Sequence, residues 1–166
     1  HFLFNTLHAV NVLNEKEPTG AARMVTRLGD LLRHTLSRAA LTEVPLRTEL
    51  DVLQLYLEIE QTRFRDRLTV RVDAPPETLD ALVPDLILQP LAENAIRHGI
   101  QSDTAARSIE VTAARAGPPL VIEVRDSGRG PGDEVTDRIG LTTVRSRLAR
   151  LYGDAHEFSL AVGPTG

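Results

Sequence analysis

The sequence predicts an α/β protein: a helical hairpin followed by an α/β sandwich in which helices cover one face of a mixed sheet. Two observations predict this class. Residues 1 to 44 carry apolar patterns of helical period only. From Pro45 onwards, patterns of helical period alternate with short runs of period two, in the order helix, strand, helix, strand, strand, helix, strand. The change of pattern divides the chain at about residue 44.

Two amphipathic helices are predicted before this division. The first covers residues 1 to about 14, and the second runs from about Ala21 to Ala39, after an interruption at Pro18 and Gly20. The apolar stripes consist of Leu3, Leu7 and Val10 in the first helix and Met24, Leu28, Leu31, Leu32 and Leu36 in the second. Because two such helices cannot bury both stripes on each other alone, we expect further helices to cover them, such as those of a second copy of the chain.

The elements after residue 44 follow from periodicity and from the positions of proline and glycine. Thr48 and Asp51 form a possible capping pair that opens a helix. Pro84 is expected to start a helix that runs to Gly99, and a last helix is expected over about Leu141–Tyr152. Strands are predicted at Leu68–Val72, Ser108–Ala113, Leu120–Arg125 and Phe158–Val162.

Composition excludes several classes of protein. The chain has 166 residues, a net charge of −4 and no cysteine, which rules out a disulfide framework, a thiol nucleophile and a thiolate metal site. The charge gives no reason to expect a nucleic-acid partner, and the apolar runs are too short to span a bilayer. The single lysine, Lys16, follows no glycine-rich turn, which excludes a P-loop. Any phosphate would be bound through Mg²⁺, backbone N–H groups, arginine or histidine.

His1 and Asn5 stand four residues apart at the start of the first predicted helix and therefore share a face. An imidazole has an ordinary pKa near 6.5, so much of it is neutral and nucleophilic at neutral pH, and the amide can orient it or a water molecule. A surface histidine at a chain end is also commonly inert, so this pair alone leaves both interpretations open.

A polar cluster interrupts the helix predicted over residues 84–99. Asn94, Arg97 and His98 are separated by three and four residues, which places them on one helix face. An amide oxygen is a suitable ligand for Mg²⁺, and Arg97 or His98 could contact phosphate oxygens. A solvated helix face explains the same pattern equally well.

Two glycine-containing segments follow. A strand delivers Asp126 into a turn with Gly128 and Gly130, where the carboxylate could accept a hydrogen bond from the exocyclic amine of adenine and the glycines allow a close approach. Gly140 precedes Leu141 at the start of the last predicted helix, whose free N–H groups suit an anion. The alternatives are an ordinary loop for the first segment and a plain helix start for the second.

The order of these segments is more specific than any one of them. The chain resembles the LytS/YehU-type sensor histidine kinases in His1–Asn5, Glu93–Ala95, Asp126–Gly130 and Ile139–Leu141. The resemblance also takes in Tyr56–Glu60 with Arg63 and Phe64, and Val144–Leu148 with Tyr152 and Gly153. The motif His-Phe-Leu-Phe-Asn is highly specific to that family, whereas the glycine segments are shared more broadly by the GHKL ATP-binding fold.

The resemblance implies two domains. Residues 1–44 would form a dimerisation and phosphoacceptor hairpin that continues upstream of His1, and residues 45–166 a GHKL (Bergerat) ATP-binding domain whose last strand would follow Gly166. His1 would accept the phosphoryl group beside Asn5, and Asn94 would bind Mg²⁺. The positions that would contact ATP are Asn94, Arg97, His98, Asp126, Gly128, Gly130, Gly140 and Leu141.

The resemblance also implies partners. The full-length protein would form a homodimer through the hairpin and pass its phosphoryl group to an aspartate of a response regulator. This portion would be the cytoplasmic part of a membrane-anchored kinase, with no nucleic-acid partner and no membrane contact of its own.

The second glycine segment departs from the family pattern. Thr136 and Arg138 replace two glycines, and Thr143 replaces an asparagine, so the backbone has less freedom to fold around phosphates. The alternative is therefore a catalytically impaired pseudokinase that acts as a dimerisation and signalling module. ATP hydrolysis is not expected, because Pro90 stands where hydrolysing GHKL ATPases carry a glutamate, and Glu93 points roughly 100° away from Asn94 around the helix.

Overall fold

The computed structural model describes residues 2–37, 42–100, 106–115, 117, 119–128 and 139–161. The helices are α1 (Phe2–Lys16), α2 (Pro18–Ser37), α3 (Leu46–Phe64), α4 (Leu88–Ile100) and α5 (Ile139–Tyr152). The strands are β1 (Glu43–Pro45), β2 (Leu68–Asp73), β3 (Leu82–Pro84), β4 (Arg107–Arg115) and β5 (Leu120–Asp126). Short 3₁₀ turns occupy Arg65–Arg67 and Pro76–Thr78.

A three-stranded mixed sheet forms the centre of the fold. Its order is β2-β4-β5, with β2 parallel to β4 and β4 antiparallel to β5. Alternate residues of β4, such as Ile109 and Val111, are buried, and helices α3 and α4 pack on the sheet. Thr69, Glu123 and Arg125 are exposed, as expected for a sheet with one solvated face. The predicted α/β class with a mixed sheet is confirmed.

Helices α1 and α2 meet at Glu17, pack against each other and also contact α3. Met24, Leu28 and Leu31 of α2 are buried in the same core as Leu53 and Leu57 of α3. An ion pair between Arg27 and Glu58 joins α2 to α3 at the margin of this core. The apolar stripe of α2 is thus covered in part by α3.

The predicted capping pair of α3 is wrong. The helix begins at Leu46, directly after Pro45, and Pro45 at its N-cap position provides no capping side-chain hydrogen bond. Instead, the backbone N–H groups of Leu46 and Arg47 donate to the carbonyls of Ala81 and Leu79, at 2.8 and 3.0 Å. Tertiary pairing with the segment before β3 therefore satisfies the first two backbone donors of the helix, which begins two residues before Thr48.

The predicted start of the following helix at Pro84 is also wrong. Pro84 is the last residue of β3 and pairs with Glu43 of β1 in a two-stranded antiparallel sheet. A turn follows, in which Leu86 has a φ of 54°, and α4 begins only at Leu88. A proline fits the edge of a sheet as well as the first turn of a helix, so the residue alone does not distinguish the two.

The predicted strand over residues 158–162 is not formed in its described part, residues 158–161. The ring of Phe158 instead lies against α5, with the Arg145 guanidinium 5.2 Å from the ring centroid. Phe158 thus contributes to the packing of a helix rather than to a sheet.

Candidate functional site

Helix α4 carries the first group of predicted site residues. Ala92, Ala95 and Ile96 form its buried face, while Asn94 and Arg97 are half-buried at the margin of that face. Because they are three residues apart on the helix, both side chains leave it on the same side. The third member of the cluster, His98, has a side chain outside the described part of the structure.

Glu93, next to Asn94, has a different environment. Its Oε1 accepts a hydrogen bond of 2.8 Å from the amide of Gln89, and its charge acts on Tyr56 and Glu60 of α3. The electrostatic coupling indicates that Glu93 faces α3. This agrees with the expectation that Glu93 does not share the direction of Asn94.

Strand β5 ends at the second predicted site residue. Asp126 is exposed, and its Oδ1 accepts a hydrogen bond of 2.8 Å from the backbone N–H of Gly128. This bond closes a local turn of the kind that aspartate commonly forms with the residue two positions later. The turn holds the carboxylate at the end of the strand. Gly130 lies outside the described residues.

Helix α5 begins at the third site. Gly140 lies in its first turn against α4: a Cβ added there would lie 3.6 Å from the Cβ of Pro90, which is ordinary contact. Leu141, the next residue, is buried. The start of α5 thus lies close to the first turn of α4. Asn94 lies further along the same helix.

These elements are neighbours in the fold. Helix α4 packs against β5 and against α5, so the helix of Asn94 contacts both the strand that ends in Asp126 and the helix that begins beside Gly140. The segment between them, residues 129–138, lies outside the described residues. The ATP contacts expected of Asn94 and Asp126 therefore stay predictions.

The N-terminal motif lies elsewhere, against α3. His1 is outside the described residues, while Phe2 packs on Tyr56 with ring centroids 5.0 Å apart and the planes inclined at 47°. Asn5 is half-buried on α1, one turn after the position of His1. Near the other end of α1, a cavity of about 720 Å³ lies between α1, α2 and α3, lined by residues such as Leu13, Arg23 and Gln61. Neither Asn94 nor Asp126 is among its lining residues.

The donor set around α4 fits a magnesium nucleotide in its chemistry. Asn94 offers an amide oxygen, a ligand type that Mg²⁺ accepts, and half-buried Arg97 offers a guanidinium for phosphate oxygens. The start of α5 provides backbone N–H groups beside Gly140. Among the described residues, no group of three histidine, aspartate or glutamate side chains could hold a metal ion unaided.

Two buried glutamates were not assigned a role from the sequence. Glu60 on α3 is 1% exposed; burial raises its pKa to about 7, Arg63 opposes the rise and Glu93 adds to it. Glu49, also on α3, accepts backbone hydrogen bonds from the turn before α4. Only the position of Glu60 within the Tyr56–Phe64 motif could have drawn attention to it; nothing local distinguishes Glu49 from the other acidic residues of α3.

Burial also raises the pKa of Tyr56, which lies beside Glu60, and the charges of Glu60 and Glu93 add to that rise, while Arg63 lowers it. Tyr56 therefore stays protonated throughout the range in which proteins are folded. Its ring packs on Phe2 of α1, and the tyrosine interacts electrostatically with buried Glu60 of α3 and half-buried Glu93 of α4. None of the helices in the described part of the chain is long and apolar enough to cross a bilayer.

Comparison with known proteins gives consistent matches. Residues 1–68 match the histidine kinase family. The chain is 35% identical over 164 residues to the sensor histidine kinase YpdA of Escherichia coli, covering 93% of this chain and 29% of that protein. It is 32% identical over 166 residues to the sensor histidine kinase BtsS of the same species, covering 99% of this chain and 29% of BtsS.

The sensor protein LytS of Staphylococcus epidermidis is 33% identical over 180 residues, covering the whole of this chain and 30% of LytS. The chain thus spans less than a third of the length of these relatives. The matches cover nearly all of the chain, including the helices α1 and α2, the motif of α3 and the elements that carry Asn94 and Asp126. The chain belongs to the LytS/YehU-type sensor histidine kinases.

Proposed function

We propose that this chain is the ATP-binding and phosphoacceptor portion of a two-component sensor histidine kinase. The observation that carries the proposal is the packing of α4 against both β5 and α5, since these three elements hold the Asn94, Asp126 and Gly140 motifs. The mixed sheet with one helix-covered face is compatible with a GHKL fold. The names of the relatives favour an active kinase over a pseudokinase.

In this proposal the nucleotide binds between α4, the end of β5 and the start of α5. Asp126 accepts a hydrogen bond from the adenine amine, while Gly128 and Gly130 let the backbone approach the ring. Arg97, His98 and the start of α5 at Gly140 and Leu141 contact phosphates.

Mg²⁺ supplies charge neutralisation of the phosphates when bound, and Asn94 is the residue that would hold it. Asn94 and Arg97 leave α4 on the same side, so the amide and the guanidinium can act on one triphosphate group. Positioning and charge neutralisation supply most of the catalysis expected for a phosphoryl transfer.

The reaction is a phosphoryl transfer to His1. One neutral imidazole nitrogen attacks the γ-phosphorus of ATP in line; a P–N bond forms, the bond to the β,γ-bridging oxygen breaks, and ADP leaves with that electron pair. The proton of the other imidazole nitrogen is released to water. Asn5, one turn along α1, orients the ring. The phosphoryl group then passes to an aspartate carboxylate of a response regulator and frees the imidazole.

Transfer is favoured over hydrolysis by the residues of α4. Pro90 has no side-chain base to activate a water molecule, and it packs toward Gly140 at the start of α5. Glu93 accepts a hydrogen bond from Gln89, and its charge acts on the carboxylate of Glu60 in α3. Neither residue can play the part that a glutamate plays in ATP-hydrolysing enzymes of this fold.

We also propose that α1 and α2 form the dimer interface of the full-length protein and that residues 1–44 and 45–166 are separate domains. Apolar side chains remain exposed on both helices, namely Leu3, Phe4, Leu7 and Val12 on α1 and Val25, Leu32 and Leu36 on α2. An exposed apolar surface on two adjacent helices fits burial against the same surface of a second copy. The chain would act on the cytoplasmic side of a membrane-anchored kinase.

The proposal is tested in the full-length protein with γ-³²P-ATP and Mg²⁺. Wild type should acquire an acid-labile, alkali-stable label, as a phosphorus–nitrogen bond requires, and His1→Gln should not. His8→Gln is the matched control, because His8 is exposed on the same helix and should leave labelling unchanged. Equal labelling of wild type and His1→Gln would overturn the assignment of His1.

A further inference from the structure

The start of α4 is held by a carboxylate from another helix. Glu49 of α3 is 2% exposed. Its Oε1 accepts a hydrogen bond of 2.8 Å from the backbone N–H of Leu86, and its Oε2 accepts bonds of 2.8 and 3.2 Å from the N–H groups of Ile87 and Leu88. Three consecutive backbone donors thus converge on one buried carboxylate.

The local sequence does not supply this cap. The residues before α4 are Leu86 and Ile87, which have no side-chain acceptor, although the first N–H groups of a helix need partners. A negative charge is also favourable at this end of a helix. Glu49, 38 residues before Ile87, therefore supplies the acceptor that an N-cap side chain would provide.

The same turn is under local strain. Leu86 has a φ of 54°, in the left-handed region that disfavours a branched side chain. Such a conformation persists only where surrounding contacts determine it. Here the bonds to Glu49 hold the turn from α3, and Arg147 of α5 donates to the carbonyl of Asp85 in the same turn. The N–H of Asp85 donates to the carbonyl of Thr42, ahead of β1, at 3.2 Å.

We infer that Glu49 is a positioning residue for the nucleotide site. Helix α4 carries Asn94 and Arg97 less than three turns beyond Leu88, so a shift of its first turn displaces both side chains. Because Arg147 binds the same turn, Glu49 also fixes α4 relative to α5, where Gly140 lies. This inference rests on the proposed nucleotide binding and names a residue outside the site that determines its geometry.

The test is Glu49→Gln in the full-length protein, measured by calorimetric titration with ADP and Mg²⁺ well below the unfolding temperature. The amide keeps the size of the side chain, but its NH₂ group would face backbone donors. We expect ADP affinity to fall roughly ten- to a hundredfold, as for other small displacements of positioned groups. Hydrogen exchange at Ile87 and Leu88 should accelerate.

The control is Glu58→Gln, the same chemical change on the same helix. Glu58 contacts Arg27 and Gln54 rather than α4, so its loss should leave ADP affinity within about twofold of wild type. Glu49→Asp, which keeps the charge on a shorter chain, should restore part of the affinity. If Glu49 had a purely structural role, Glu49→Gln would lower the unfolding temperature and leave ADP affinity at the wild-type value. That result would overturn the inference.

If Glu49→Gln does not fold, Arg147→Gln makes the same test from α5, because it removes the guanidinium that binds the Asp85 carbonyl. ADP affinity should then fall, while Arg150→Gln, at an exposed position of the same helix, should leave it unchanged. Equal affinities for both would refute the inference. If wild type itself binds no ADP, the proposed function fails rather than the role of Glu49.

Discussion

Arg63 donates a hydrogen bond of 3.0 Å from Nη1 to Oε1 of Glu60, while Oε2 of the same buried carboxylate has no hydrogen-bond partner among the described residues. An ionised carboxylate in such a place loses hydration that one bond does not replace. Burial accordingly raises the pKa of Glu60 to about 7. Glu60 is therefore protonated in the folded protein over a range in which the unfolded chain is ionised.

This difference predicts a stability that falls as pH rises. Below pH 4.5, the ordinary pKa of a glutamate here, both states hold the proton; between pH 4.5 and about 7, only the folded state does. Since the folded state binds more protons, its stability decreases across that interval, by about 3 kcal/mol.

Urea unfolding of wild type and Glu60→Gln at pH 5 and pH 8 measures the effect. The neutral amide has no proton to lose, so the variant should lose less stability than wild type between the two pH values. Identical pH dependence in both proteins would contradict the raised pKa of Glu60.

Phe2 and Phe4 offer a second prediction, because they are two residues apart on α1 but have different surroundings. Phe2 packs on Tyr56 with centroids 5.0 Å apart, whereas Phe4 is 78% exposed. Phe2→Ala should lower the free energy of unfolding by about 1–3 kcal/mol, because it removes an aromatic contact with the core.

Phe4→Ala is the matched substitution at the exposed position. It should change the stability of the monomer little, but weaken the proposed dimer, as measured by analytical ultracentrifugation of the full-length protein. Reversed effects, with Phe4→Ala the more destabilising in the monomer, would show that α1 packs through its other face.

Comparison of the predicted with the observed helices and strands shows which features of the fold the local sequence determines. Helices and strands with a clear period, such as α5 and β5, were predicted to within a few residues because burial of one face imposes that period. The turn at residues 85–87 was not predicted, because a leucine such as Leu86 gives no indication of a left-handed backbone conformation. Its stabilisation comes from Glu49, and no local pattern encodes a contact between residues so far apart.

The residues of the candidate site also differ in whether the local sequence could predict them. The residue types of the Asn94 and Asp126 motifs predicted a nucleotide site, because amide, carboxylate and glycine have specific uses at a nucleotide, and that site stays a prediction. Glu60 was seen only as part of a motif, since its raised pKa depends on burial and on Glu93, which lies on another helix. A charge pattern along one helix does not reveal which side chains a second helix covers.

Tyr152 provides a third prediction. Its hydroxyl donates a hydrogen bond of 2.7 Å to Oε1 of Glu43, which joins the end of α5 to β1. Burial raises the pKa of Tyr152, and the bond to Glu43 adds to the rise, so the phenol remains a donor at neutral pH. Tyr152→Phe keeps the ring and removes only the hydroxyl. Thermal or urea unfolding should show a loss of about 0.5–1.5 kcal/mol. No loss would mean that solvent satisfies Glu43 equally well.

Asp126→Asn separates the local turn from the proposed adenine contact. The amide oxygen can still accept the 2.8 Å hydrogen bond from Gly128, so the free energy of unfolding should change by less than about 0.5 kcal/mol. The amide cannot reproduce the negative acceptor proposed for the adenine amine, and ADP affinity should fall about tenfold or more. Calorimetry with ADP and Mg²⁺ measures this, and unchanged affinity would remove Asp126 from the site.

Gly140→Ala distinguishes a functional glycine from a structural one. A Cβ there would lie 3.6 Å from Pro90, an ordinary contact, so the fold accepts the methyl group. Alanine is also the better residue within a helix, which predicts a gain in stability of up to about 1 kcal/mol. If the start of α5 receives phosphate groups, the added methyl should nevertheless weaken ADP binding.

Gly29→Ala is the matched control, because Gly29 lies within α2 and an added Cβ meets nothing within 4 Å. It should give a similar gain in stability with unchanged ADP affinity, since α2 carries none of the proposed nucleotide contacts. Thermal unfolding and calorimetry on both variants separate the two effects. Loss of affinity in Gly140→Ala alone would assign the close approach at α5 to the nucleotide; equal affinity in both would indicate that Gly140 has no contact with phosphate.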